Sequence, residues 1–169
     1  MTTEKFDITT FEKNKVNGEC NYILEDGTKI KQFSTNEYYI EIITPPKPAL
    51  FERYKKFYKT GELYLFFIIF PNDFIKLRKE YDKTGKLIEE IDYDKPFKFT
   101  FEQLLDLIKK EKDTIDLFDK HTIISRGVIE QDTVWEIVYR KTYGRRERII
   151  VDGITGEILK RNYYLHLDN

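Results

Sequence analysis

Asp119, His121 and Ser125 are the residue types of a hydrolytic centre, in which a base takes the serine proton and a carboxylate orients the base. Their spacing argues against one. On a single strand they would form a same-side ladder about 20 Å long at about 3.3 Å per residue, so they would not converge on a substrate. The other serine, Ser34, and the single Cys20 stand in no nucleophile elbow and beside no histidine. The acidic run Glu89-Glu90-Ile91-Asp92-Tyr93-Asp94 could supply general acid and base, or hold calcium. It lacks the spacing and terminal glutamate of a calcium loop, and strand alternation sends Glu90 and Asp92 to one face and Glu89 to the other. It reads as a charged strand edge, or as a docking surface for a basic partner. Arg140, Lys141, Arg145, Arg146 and Arg148 bracket a turn at Tyr143-Gly144. Their guanidinium groups could grip phosphate or acidic side chains in bidentate fashion, or simply solvate a hairpin end.

The composition narrows the classes of function. The chain has 169 residues and a net charge of −1, with 35% charged residues. The two signs nearly cancel, and a nucleic-acid partner is not favoured. One cysteine excludes an internal disulfide, and His121 and His166 are too few and too separated for a zinc site, so no metal or cofactor is expected. Twelve tyrosines and thirteen phenylalanines suit strands and recognition surfaces. No apolar run approaches the length of a membrane helix and the first residues show no secretory signal, so the expectation is a cytoplasmic chain with no membrane partner.

The elements are signalled by turns. Asp26-Gly27-Thr28, Thr60-Gly61-Glu62, Thr84-Gly85-Lys86 and Thr155-Gly156-Glu157 each place glycine behind a small polar residue between strand-like runs. Glycine reaches positive φ without steric cost, as a bulged or type I′ hairpin turn requires. Strands are expected around residues 21–33 (a hairpin), at 38–43, at 50–58, at Leu63–Phe70 ending in Pro71-Asn72-Asp73, at 75–81 and at 87–93. Further strands are expected at 122–129, 134–141, 148–152 and 157–165, with Gln131-Asp132 between the first two of these. Trp135, Ile137 and Tyr139 share the core face of their strand. One helix begins at Thr100, where Gln103 completes a capping box. Phe101, Leu104, Leu105 and Ile108 form its apolar stripe, Glu102 and Asp106 face water, and it ends near Lys112. Pro45, Pro46 and Pro48 mark the internal boundary. Residues 1–44 form a β-hairpin segment and 45–169 an antiparallel sheet plus helix, together one continuous α+β domain with the helix packed on the sheet.

Two stretches carry a family resemblance. Lys59-Thr60-Gly61 aligns with Lys83-Thr84-Gly85 at a spacing of 24 residues, with an aromatic before each glycine turn and a leucine after it, and the stretches 58–63 and 79–90 resemble the variant MORN repeats of bacterial antitoxin-like proteins. Trp135 to Tyr139 followed by Arg148 to Leu159, closing on Val151-Asp152-Gly153-Ile154-Thr155-Gly156-Glu157, resembles the PepSY-type module. These resemblances imply a non-enzymatic protein-binding module with a cognate protein partner.

The expectation is therefore an immunity protein that neutralises a bacterial toxin by occluding its active site. The first contact candidates are Glu89, Glu90, Asp92, Tyr93 and Asp94 with Glu102 and Asp106 of the helix, and the second are Arg145 and Arg146. The competing readings are a periplasmic or surface binding protein, or a small enzyme.

Overall fold

A computed structural model describes residues 1–71, 74–129 and 132–165. Asn72, Asp73, Gln131 and His166, named in the sequence reading, lie outside the described residues. The chain divides into two compact units, Met1–Tyr93 and Asp94–Asn169.

The first unit is built from local pairings. Strands β1 (Glu19–Ile23), β2 (Lys29–Ser34), β3 (Tyr38–Thr44), β4 (Glu52–Tyr58), β5 (Leu63–Phe70), β6 (Phe74–Tyr81) and β7 (Leu87–Asp92) follow one another in a single antiparallel meander. The ladder between β3 and β4 spans the proline cluster, so residues on both sides of it belong to one sheet. Three glycine turns have the same geometry. Leu24, Tyr58 and Asp82 each donate their N–H to the carbonyl four residues on, at 2.9, 2.8 and 3.0 Å, and Gly27, Gly61 and Gly85 donate back at 2.9, 2.8 and 3.0 Å. Each is a hairpin loop closed by a glycine at positive φ.

The residues before the sheet form a strap that the turn signals did not reveal. Thr2 N–H donates to Gly85 O and Phe6 N–H to Gly61 O, each at 2.8 Å, so the 24-residue repeat supplies two equivalent acceptors to one segment. The strap continues into α1 (Ile8–Asn14), where the Asp7 carboxylate caps the first turn by accepting from Thr10 N at 2.9 Å. Phe6 and Phe11 enter the first face of the sheet against Tyr39, Phe57 and Leu63, with Phe6 stacked on Tyr39 at 4.7 Å. The same Asp7-to-Thr10 cap and the Ile8, Phe11 spacing are visible in the sequence. They do not by themselves predict a helix, because seven residues is a short helix whose stability comes from packing.

The second unit pairs β8 (Ile123–Ile129), β9 (Asp132–Thr142), β10 (Arg145–Asp152) and β11 (Ile158–Leu165) in a separate four-stranded antiparallel sheet, ordered β11-β10-β9-β8. The C-terminal strands lie in this second sheet and do not extend the seven-stranded one. Helix α2 (Phe101–Lys109) carries the expected capping box, with Thr100 N donating to Gln103 Oε1 at 2.8 Å and Gln103 N to Thr100 Oγ1 at 3.3 Å. It ends at Lys109, three residues before the expected stop. Phe101, Leu104 and Ile108 are buried, as are Trp135, Ile137 and Tyr139, whose strand face was read as core. Trp135 donates its indole N–H to Phe99 O at 2.9 Å, and the Phe97 ring lies 4.9 Å from it, so the residues ahead of the helix pack into the sheet. The fold class is thus α+β, an antiparallel meander with an amphipathic helix on a sheet. No helix of the described residues is long and apolar enough to cross a membrane.

Candidate functional site

Register assigns the side chains of the first unit to rows that cross every strand. On the face carrying the strap, one row reads Cys20, Gln32, Glu41, Lys55, Phe66, Lys79, Glu90. Its polar members are tied together: Gln32 donates to Glu41 at 2.8 Å, Lys55 pairs with Glu41 at 3.4 Å and with Glu4 of the strap, and Lys79 pairs with Glu90 at 3.2 Å. Burial of Gln32 is tolerated because its amide has that carboxylate partner.

The opposite face carries two further rows: Asn21, Lys31, Ile42, Tyr54, Phe67, Arg78, Ile91, and Glu19, Phe33, Ile40, Lys56, Leu65, Glu80, Glu89. Strap and α1 lie on the first face, and these two rows of the second are strand side chains. Tyr54 and Phe67 meet edge to face at 5.8 Å, Tyr38 stacks on Tyr64 at 5.3 Å and Tyr58 lies against Tyr64 at 5.0 Å. Phe33, Tyr38, Ile42, Tyr54, Tyr64 and Phe67 are all half-buried, so each offers part of an apolar surface. Lys56 lies over the Tyr38 ring at 5.5 Å, and Lys83 over Tyr58 at 5.6 Å. At the β6–β7 end, Arg78 reaches both Glu80 and Glu89, and these carboxylates hold its guanidinium above its ordinary pKa, Glu89 contributing most. Rings on a pleated surface have few rotatable bonds and stand on a backbone paired on both sides, which makes a pre-ordered contact surface.

The residues singled out in the sequence are spread over both units. Glu89 belongs to the aromatic face, Glu90 and Asp92 to the strap face, and Tyr93 closes the strand by donating its N–H to Lys76 O at 3.0 Å. In the second unit Asp94 pairs with Arg126, whose guanidinium lies over the Phe97 and Trp135 rings at 5.2 and 5.5 Å. Glu102 and Asp106 are exposed on α2, and Lys109, 2.9 Å from Asp106, lowers the pKa of its carboxyl. Arg145 pairs with Glu147 at 2.6 Å and lies over the Tyr163 ring at 4.1 Å. Arg146 is only 7% exposed and turns inward, donating to His121 O at 3.0 Å with its other terminal nitrogen 2.9 Å from His121 Nδ1. The basic hairpin therefore does not present all its arginines to a ligand. His121 engages Arg146, while Ser125 donates to Glu136 at 3.4 Å. The nucleophile and base of the imagined triad thus have separate partners.

A polar cluster not foreseen from the sequence joins the segment after α2 to the second sheet. Glu111 receives a bidentate pair from Arg161 at 2.8 Å on both oxygens. Asp113 accepts from Lys141 at 2.8 Å and from Tyr139 at 2.9 Å. Lys141 first, then Tyr139, holds the Asp113 carboxyl below its usual range, while burial and the Asp113 carboxylate push the Tyr139 phenol up. Every group here has a structural partner, and the described residues contain no group of three or more His, Cys, Asp or Glu able to hold a metal ion. No protein-family model, curated protein or solved structure gives a significant match to this chain.

Proposed function

We propose that this chain is a protein-binding module and that its partner is a bacterial toxin, which it neutralises by covering the active site. The observation that carries the reading is the aromatic face of the seven-stranded sheet, with Tyr38, Tyr54, Tyr64 and Phe67 half-buried side by side and ringed by Lys56, Arg78 and Glu89. Aromatic anchors with a charged rim are the composition of a docking surface, where rings contribute contact area and rim charges favour encounter. The toxin as partner rests on the resemblance of the two repeat hairpins to variant MORN units.

The test is growth rescue. The product of the gene adjacent to this one is expressed in a bacterial host with and without this chain, and then with Tyr54→Ala and Phe67→Ala. The adjacent product is expected to arrest growth and the chain to restore it. Each substitution should weaken the complex by on the order of 2 kcal/mol, about 30-fold, while the protein stays folded by circular dichroism. A harmless neighbour, or full rescue by the doubly substituted chain, refutes the proposal.

A further inference from the structure

β1 is an edge strand whose outward backbone groups have a definable direction. Leu24 N–H donates to Thr28 O at 2.9 Å, and the register pairs Ile23 with Lys29, Tyr22 with Ile30, Asn21 with Lys31 and Cys20 with Gln32. Antiparallel pairing alternates, so Tyr22 and Cys20 bond to β2 while Asn21 and Ile23 turn N–H and C=O away from it. Glu19 turns the same way but exchanges both bonds with Val16, at 2.7 and 3.1 Å.

Of the other edges, β7 carries Glu89, Glu90 and Asp92, β11 carries Lys160 and Arg161, and β8 has Arg126 as its single charge. After Glu19, β1 reads Cys20, Asn21, Tyr22, Ile23 with no charge, and Tyr22, Ile23 and Leu24 are 43%, 67% and 46% exposed. Beside it, a cleft of about 840 Å³ is bounded by Asp7, Thr10 and Asn14 together with Glu19, Cys20 and Tyr22. A shallower groove of about 430 Å³ is bounded by Asn21, Ile23, Lys29 and Lys31. A strand laid along β1 would alternate its side chains between the two. The charged residues lining the cleft are Asp7 and Glu19, of which Glu19 is already paired with Lys31 at 3.0 Å. Hydrogen bonds from Thr10 to Asp7 and from Lys31 to Glu19 keep both carboxyls below their ordinary pKa, hence ionised at neutral pH.

We propose that the free edge of β1 receives an extended segment of another protein as an added strand, with lysine or arginine at alternate positions entering the cleft beside Asp7. Only an extended backbone satisfies the donors and acceptors of Asn21 and Ile23 together, and the lining charge selects its side chains. The proposal does not depend on the partner being a toxin.

The full chain is titrated with a short blocked peptide alternating lysine with threonine, and with its glutamate counterpart, while the backbone amides are followed by NMR. The lysine peptide should shift the Asn21 and Ile23 amides, and the glutamate peptide should bind at least several-fold more weakly. Asn21→Pro removes an outward donor but none that β2 uses, and should weaken binding about tenfold. Asp7→Asn keeps the helix cap and removes the charge, for a loss of about threefold to fivefold. Ile23→Lys, a defended edge, should reproduce the loss if proline disturbs folding. Equal binding of the two peptides, absence of binding at millimolar concentration, or indifference to both Asn21→Pro and Ile23→Lys overturns the proposal. So does sedimentation showing that a second copy of this chain occupies the edge.

Discussion

Replacing Gly85 with alanine tests the strap directly. Gly85 has φ +80°, and a Cβ placed there would lie 2.3 Å from the Thr2 carbonyl oxygen, where ordinary contact begins at 3.4 Å. Gly18 has φ +84° and nothing within 4 Å of the same position. Both substitutions cost the left-handed penalty, about 1–2 kcal/mol. At Gly85 alone the strap must also retreat by about an ångström. The cheapest retreat is to peel residues 1–3 back to the next anchor, the Glu4 pair with Lys55, losing the bond from Thr2 N–H to Gly85 O, worth about 1 kcal/mol. Gly85→Ala should therefore cost about 2–3 kcal/mol against about 1–2 for Gly18→Ala. Trp135, the single tryptophan, belongs to the second unit and does not report on this change. The measurement is hydrogen exchange of the β4 to β7 amides and of Thr2 N–H under mild urea. Equal costs for the two variants, with Thr2 still protected in Gly85→Ala, would refute the strap's role.

Three further outcomes follow from the second unit. Trp135→Phe strands the Phe99 carbonyl and leaves space beside Phe97, and should lower stability by about 2–3 kcal/mol in denaturant titration. Thr100→Ala removes one half of the capping box and should cost about 1 kcal/mol, with faster exchange confined to the first turn of α2. The Asp113 and Tyr139 contact makes stability depend on pH at both ends. The folded Asp113 pKa is depressed, so its contribution is present above the ordinary aspartate value and fades as pH falls below about 3.9. The folded Tyr139 pKa is raised, so its contribution is present below the ordinary tyrosine value and fades as pH climbs above about 10. In urea midpoints measured against pH, Tyr139→Phe should flatten the alkaline limb and reduce the acid one, and an unchanged alkaline limb would count against this account.

The strands were legible because their determinants are local. Leu63 to Phe70 has no helical spacing, and the glycine loops fix where each hairpin closes, so seven consecutive strands could be read from turns and β-formers. The capping box at Thr100 was equally local. The strap was not, because the affinity of Phe6 for Gly61 and of Thr2 for Gly85 depends on a face that exists only after the sheet has formed. The acidic run shows the same limit. Alternation correctly separates Glu89 from Glu90 and Asp92, yet nothing in the run itself announces that Arg78 and Lys79 on the neighbouring strand engage Glu89 and Glu90. For the same reason Arg146 read as a surface cation. Its burial against His121 is set by a segment 25 residues away in the chain.

The strap also constrains the order in which the protein can be completed. Thr2 and Phe6 leave the ribosome before either of their acceptors exists, and the last of these, at Gly85, appears only when the final hairpin of the sheet has been synthesised. The opening residues must therefore wait, uncommitted, through the making of six strands. Any group that crowds Thr2 would therefore be felt at the tip of the β6–β7 hairpin, where the strap meets the last pair of strands of this sheet.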